Sequence, residues 1–314
     1  MGGTMSLTKT LLIYTETALH AGTGSGLGAV DLPIQREVTT NYPMIQSGGI
    51  KGAIRSALRV QFAGAQDHPD INVVFGPEEI PDYAGAASFG DARILAFPVR
   101  SLRGVFAWVT SPAVLARFTR DVGTTFAQRP PIVPPEPPMD ENQTTALVSS
   151  AGVVSDGDDV VLEEYLYRAS GLQSVTDWAN WLAENAIPAS DEFAYYRQAM
   201  RERLVVLRDD DFRDFATYAT QVITRIRLDR DTKTVVDGAL FTQELLPPET
   251  LLYVPVVSNK PRATTDALDS APSFSAGSTD SDVMNWLAGN LPGKIQIGAD
   301  ETVGYGFVTL RWGE

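Results

Sequence analysis

The way the first strand ends constrains this chain more than any other feature. Lys9 to Leu19 (KTLLIYTETAL) is rich in Leu, Ile, Tyr and Thr and partly alternates, the pattern of a β-strand. It empties into a run with glycine at 22, 24, 26 and 28, which reads as an irregular loop where backbone can approach a ligand. Asp31 follows, and Pro33 blocks an immediate helix, so DLPIQREVTTNYPMI is expected to run extended until Ser47 caps a helix from Ile50 to Phe62. A dinucleotide fold is disfavoured, because its glycine loop leads straight into a helix. SGGIKGA is no Walker motif either, since Gly52 stands where Ser or Thr must follow Lys51.

Ala92 to Val99 and Gly104 to Thr110 read as two strands joined by the basic segment Arg100 to Arg103. Ser111-Pro112 then opens a helix over Ala113 to Asp121. The order β-α-β-β-α, completed by a later strand, predicts an α+β fold with a ferredoxin-like, RRM-like (split βαβ) palm, a pattern found in many RNA-binding domains. Beyond it, helices are expected over Ser174 to Ala186, Asp191 to Arg201, Asp210 to Ala219 and Asp282 to Ala288. Strands are expected at Leu162 to Tyr167, Leu204 to Leu207, Leu251 to Val257, Lys294 to Ile297 and Phe307 to Trp312. Val222 to Leu228 and Ala239 to Leu245 flank the polar turn DRDTKTVVDG and predict a hairpin. Trp178, Trp181 and Trp286 sit at helical spacing and read as core.

The 314 residues, 44% hydrophobic, are enough to bury a full core. The absence of cysteine excludes disulfides, thiolate metal sites and a Cys nucleophile, and two histidines cannot build a His-rich zinc site. No apolar run is long enough to span a bilayer and MGGTMSLTKT lacks the apolar block of a secretory signal, so no membrane contact and a cytoplasmic location are expected. The net charge of −14 argues against nucleic acid, but its distribution does not: residues 1–62 carry +2 and the remainder −16, as in a protein with one basic working surface.

That surface reads as the helix start. Lys51, Arg55 and Arg59 fall at i, i+4 and i+8 beside the glycine-rich N-H groups of Ser47, Gly48 and Gly49, where a phosphate is held best. Asp31 is the strongest chemical candidate: a carboxylate after a glycine-lined loop can orient a 2′-hydroxyl, act as general base or hold Mg2+ through oxygen, or simply close its own turn. His20 could shuttle a proton or sit satisfied at a strand end. Gln243 and Glu244 read as a solvated turn. A metabolic enzyme binding a phosphorylated small molecule at the two glycine loops remains open on these residues alone.

HAGTGSGLGAVDLPIQRE, SGGIKGAIR, FPVRSLRGVFAWVTSP, RIRLD…GALF leading to LPPET, and the terminal GADETVGYGF together resemble the RAMP superfamily, in particular the RNA-cleaving backbone subunit of type III-B CRISPR (Cmr) effector complexes. The matches run from the first strand to the last. The resemblance implies a single domain over 1–314, a palm with thumb-like and helical insertions and loops at 123–145 and 259–281. It implies copies that stack as a helical filament on a CRISPR guide RNA with other subunits of the complex. It further implies target RNA cut at regular intervals by a metal-dependent endoribonuclease with Mg2+ or Mn2+. Carried over by motif, Asp31 cleaves and holds the metal, and His20, the second catalytic candidate, lies near the guide RNA. Gln35, Arg36, Ser47, Gly48, Gly49, Lys51, Arg55, Arg59, Gly298, Gly304 and Gly306 contact RNA. The thumb is placed in Ile71 to Ser88 or around Asp229 to Gly238. A non-catalytic guide-binding backbone subunit is the alternative.

Overall fold

The computed structural model describes residues 6–26, 28–62, 68–78, 82–123, 125–141, 143–149 and 151–313. The chain opens with β1 (Leu7–Thr15), β2 (Met44–Ile45), α1 (Ser47–Gln61), α2 (Pro69–Phe75), β3 (Ala87–Phe89) and β4 (Ala92–Arg100). It continues with β5 (Phe106–Thr110), α3 (Pro112–Val122), β6 (Thr145–Val148), α4 (Ala151–Val154), β7 (Ser155–Asp156), β8 (Asp159–Leu162) and β9 (Tyr165–Gly171). Next come α5 (Gln173–Asn185), α6 (Ala194–Arg203), β10 (Leu204–Val206), α7 (Asp209–Tyr218), β11 (Gln221–Leu228) and β12 (Val235–Leu245). β13 (Leu251–Ser258), α8 (Thr265–Asp269), α9 (Asp280–Asn290), β14 (Lys294–Gln296) and β15 (Phe307–Trp312) close it.

The palm is present, but not from the elements that local reading assigns to it. β1 lies between β13 and β15, and β13 lies between β1 and β4, all antiparallel. The ferredoxin-like unit is therefore β1-α1-β4-β13-α9-β15, with residues 101–250 inserted between its second and third strands. β5 and α3, expected as the third strand and second helix, begin that insertion; β5 pairs with β4 and extends the same sheet outward through β10, β6, β9, β8 and β7. Residues Leu11 to Tyr14 are buried whichever face they occupy, since both faces of β1 are covered, which is why the strand reads as a continuous apolar run. On one face the end of α1 meets α9 through Phe62 stacked on Trp286, centroids 5.9 Å apart. On the other, Phe118 of α3 packs edge-on against Tyr253 of β13 at 4.9 Å.

Leu162 to Tyr167 is not one strand: the chain reverses at Glu163, φ 50°, between β8 and β9. The three tryptophans are core, and two of them also fasten the proline-rich stretch, with Trp178 and Trp181 donating to the carbonyls of Ile132 and Gln128. The polar stretch 259–281 contains α8 and buries Leu268 and Phe274. The hairpin β11–β12 forms as expected, as a separate two-stranded sheet. Among the described residues no helix is long and apolar enough to cross a membrane.

Candidate active site and RNA interface

β12 carries the expected loop Asp on its own backbone. Leu32 N-H donates to the Thr242 carbonyl at 3.0 Å and Glu244 N-H to the Leu32 carbonyl at 3.0 Å, a short parallel bridge between the Asp31 loop and the root of the hairpin. At its head, Asp31 Oδ2 accepts from Thr242 N-H at 2.7 Å and from the Thr242 hydroxyl at 2.9 Å, while Asp31 N-H donates to that hydroxyl oxygen at 3.0 Å. Asp31 thus does not close its own turn. It is exposed, and the bonds from Thr242 hold its carboxyl below the usual carboxylate range. Oδ1 has no hydrogen-bond partner among the described residues. Such a group is a weak general base, and its constant negative charge suits orienting a hydroxyl or holding a cation.

Gln243 and Glu244, expected in a solvated turn, are 2% and 6% exposed. Their burial follows from the hairpin root packing into the protein, and each is fully used. The Glu244 carboxylate accepts from Ile34 N-H at 3.0 Å, from Arg36 at 2.5 Å and from the Thr220 hydroxyl at 2.8 Å. Gln243 donates to Asp300 at 2.6 Å and accepts from Arg225 at 2.9 Å, and Arg225 pairs with Asp300 at 2.7 Å. Arg36, expected at RNA, spends its guanidinium inside the protein, on Glu244 and on the carbonyls of Asn41, Ala216 and Thr217.

His20 is buried, with Nδ1 2.7 Å from the Glu244 carbonyl. A carbonyl only accepts, so Nδ1 carries the proton and Nε2 is left over. Nε2 lies against Gly22, where a Cβ would sit 2.6 Å away, so glycine is needed to seat the ring. A cleft of about 290 Å³ brings His20, Gly22, Gly24 and Gln35 together with Gly49 of α1 and Gly298 of the C-terminal loop. A second groove of about 660 Å³ runs along Gly49, Gly52, Ala53, Ser56 and Val60 of α1 and shares Gly49 and Gly298 with the first. Gln35 links two walls, donating to the Gly22 carbonyl at 3.1 Å and accepting from Gln46 N-H at 2.7 Å.

The glycines of the C-terminal loop are not alike. At Gly298, φ 89°, a Cβ would come within 2.5 Å of the His20 carbonyl oxygen, and at Gly306, φ 77°, it would overlap the Ile297 carbonyl. Gly298 is required by the packing of this loop on the segment after β1, and Gly306 by its packing against the end of β14. Gly304, φ 90°, faces open space.

Helix α1 begins at Ser47, not Ile50. Ser47 does not cap it: Gln46 holds that position, and Asp91 Oδ1 accepts the Ser47 N-H at 2.8 Å. Gly48 and Gly49 are exposed in the first turn. Of the three cations, Arg55 reaches Asn72 at 3.1 Å and Arg59 pairs with Glu78 at 2.5 Å. Lys51 makes no ion pair among the described residues; burial, then the neighbouring Arg55, holds its ammonium below the usual lysine range. None of the three lines the cleft or the groove, so the structure separates the cationic row from the glycine-lined concavity. Of the two thumb candidates, Ile71 to Ser88 contains most of α2 and the start of β3, with 79–81 outside the described residues.

Among the described residues no three His, Asp or Glu side chains converge as a metal site. On the Asp31 loop, the donor chemistry among the described residues is one exposed carboxylate whose Oδ1 accepts no hydrogen bond.

The RAMP superfamily model matches residues 12–309. The chain is 36% identical over 303 residues, 95% of this chain and 93% of the relative, to a protein of Pyrococcus furiosus named CRISPR system Cmr endoribonuclease Cmr4. It superposes on the crystal structure of oligomeric Cmr4 from the same organism with a TM-score of 0.71 at 29% identity, covering 99% of this chain and 98% of the other. A type III-B Cmr-beta chain, solved with cognate target RNA bound, has the same fold: TM-score 0.71, 21% identity, 98% of each chain.

Proposed function

The chain belongs to the RAMP superfamily, and from that membership we propose that it is a backbone subunit of an RNA-guided CRISPR effector complex, binding guide RNA and cutting complementary target RNA. The observation that carries the reading is Asp31, an exposed carboxylate held below the usual carboxylate range by its bonds from Thr242, on the loop whose first residues wall a glycine-lined cleft. The guide backbone follows the cleft and the adjoining groove, where Gly24, with open space around it, lets a phosphate approach the main chain. Lys51, on the same helix but outside the concavity, adds a cation for more distant phosphates. Copies associate head to tail into a filament, and the hairpin β11–β12 is the thumb that splays the guide–target duplex beside Asp31.

RNA needs little from the protein to be cut. The 2′-oxygen attacks the adjacent phosphorus as the bond to the 5′-oxygen breaks, provided the nucleotide is held with the three atoms in line, leaving a cyclic phosphate and a 5′-hydroxyl. Asp31 orients the sugar hydroxyl by its fixed charge. His20 Nε2, opposite Gly22, exchanges a proton with a sugar or phosphate oxygen. Asp31 Oδ1 would hold a divalent cation, Mg2+ or Mn2+, through oxygen, the donor such ions prefer. When bound it supplies positive charge at the phosphate being cut.

The test is cleavage of a labelled RNA complementary to the guide by the assembled complex with Mg2+ or Mn2+, native protein against Asp31→Ala. Regularly spaced products that disappear in the variant, with target binding retained, are expected. Identical products from both proteins move the chemistry elsewhere, and no products from either leave a guide-binding scaffold.

A further inference from the structure

We propose that Thr242 is the positioning residue for the Asp31 carboxylate, fixing which oxygen faces the RNA and tying that orientation to the seating of the hairpin. The inference rests on the reading of Asp31 as the cleaving residue and deepens it.

Two hundred and eleven residues separate the pair in sequence, yet three hydrogen bonds join them. The Thr242 hydroxyl is used in both directions, donating its proton to Asp31 Oδ2 and accepting from Asp31 N-H, so its single O-H has one orientation that satisfies both. With Thr242 N-H on the same Oδ2, both donors fall on one oxygen and leave Oδ1 toward solvent. A β-branched side chain in a strand is stiff about χ1, so the hydroxyl is held where the loop needs it.

The strand that carries Thr242 is fastened immediately after it, at the hairpin root. Gln243 is clamped by Asp300 and Arg225, and Glu244 by Ile34 N-H, Arg36 and Thr220. Across the hairpin, Thr242 pairs in register with Thr224. Towards Val235 the same strand runs out into the exposed arm, so displacement of the arm reaches Asp31 through this one residue and the Leu32 bridge. A carboxylate aimed by a partner of this kind typically loses about tenfold to a hundredfold in activity when the partner is removed.

The experiment uses the assembled, guide-loaded complex with a fully complementary labelled target at saturating concentration, measuring the single-turnover cleavage rate and, separately, target affinity. Thr242→Val keeps the shape and the backbone N-H but removes the hydroxyl. It is expected to cut about ten to a hundred times more slowly with unchanged target affinity. Thr242→Ser, which keeps the hydroxyl, is expected to restore most of the rate. In an Asp31→Asn background, Thr242→Val is expected to add little, since groups acting as a unit are not additive. Wild-type rates in Thr242→Val, a Ser variant as slow as the Val variant, or additive losses in the double variant each overturn the role of Thr242. The Asp31 reading stands in those cases as long as Asp31→Ala is inactive; cleavage by Asp31→Ala at the native rate overturns both.

Discussion

The hairpin β11–β12 is two regions of opposite character in one pair of strands. At its root, Gln243, Glu244 and Leu245 are buried, and every polar atom of the two polar side chains that the site uses has a charged or backbone partner. Along its arm, Ile226, Leu228 and Leu240 are half or more exposed and Val235 is nearly so, and the register shifts between Ile226 and Leu228. A hairpin with apolar residues open to water is marginal by itself, so the arm is not built to stabilise this subunit. Stability is invested in the root, which carries the residues that aim Asp31; the arm is left for something outside the chain.

The largest effect that follows is at Glu244. Arg36 and Glu244 are both well buried, at 15% and 8% side-chain exposure. Glu244→Ala strands the Arg36 guanidinium, the Ile34 N-H and the Thr220 hydroxyl together, and losing one partner of a buried pair costs about 3–5 kcal/mol. A drop of that size in unfolding free energy, by denaturant titration, is expected. A stability within 1 kcal/mol of native would mean the root is no more structural than the arm.

A second carboxylate close by sharpens the same contrast. Glu249, four residues past the hairpin, has Oε2 buried with no partner, and burial pushes its carboxyl up to about 7. A carboxyl raised on folding contributes stability that is complete below its unfolded value of 4.5 and is lost as pH rises through about 7. The native protein is expected to lose on the order of 2 kcal/mol between pH 5 and pH 8 from this group, after allowing for solvent screening. Glu249→Gln should flatten that part of the profile and be the more stable protein at pH 8. Equal pH slopes for the two would remove Glu249 from the account.

What was legible in the sequence divides along the range of the interactions. The loop Asp was visible because glycines and Pro33 are local signals, and the hairpin because a polar turn between apolar runs is local too. The palm was visible as a class, yet its strands were misassigned. β4 and β5 are adjacent in sequence and pair in space, whereas the true third strand, β13, returns only after the insertion of residues 101–250. The partners of Asp31 were missed for the same reason: Thr242 belongs to the far side of the chain. The signal that could have found them is the run Thr242-Gln243-Glu244 inside apolar GALF…LL, since polar residues within a strand bounded by apolar ones are buried and must be satisfied. On α1 the i, i+4, i+8 spacing was right, but Asn72 and Glu78, supplied by α2 and the segment after it, engage Arg55 and Arg59, and spacing says nothing of partners.

The smallest expected effect on stability is at the arm, and it separates the two regions most cleanly. Ile226 and Leu240 face each other across the strands and are 51% and 64% exposed. Replacing both with Ser removes little buried apolar area, so unfolding free energy should stay within about 0.5 kcal/mol of native, the usual range for surface changes. If the arm works as the thumb, the same variant in the assembled complex gives target products that are weaker and no longer evenly spaced, because the duplex is not splayed beside Asp31. Root variants are expected to change folding and cleavage together, arm variants cleavage alone. An arm variant that folds normally and cuts with the native spacing would show that the exposed apolar residues have no part in the reaction, and would return the thumb to another insertion.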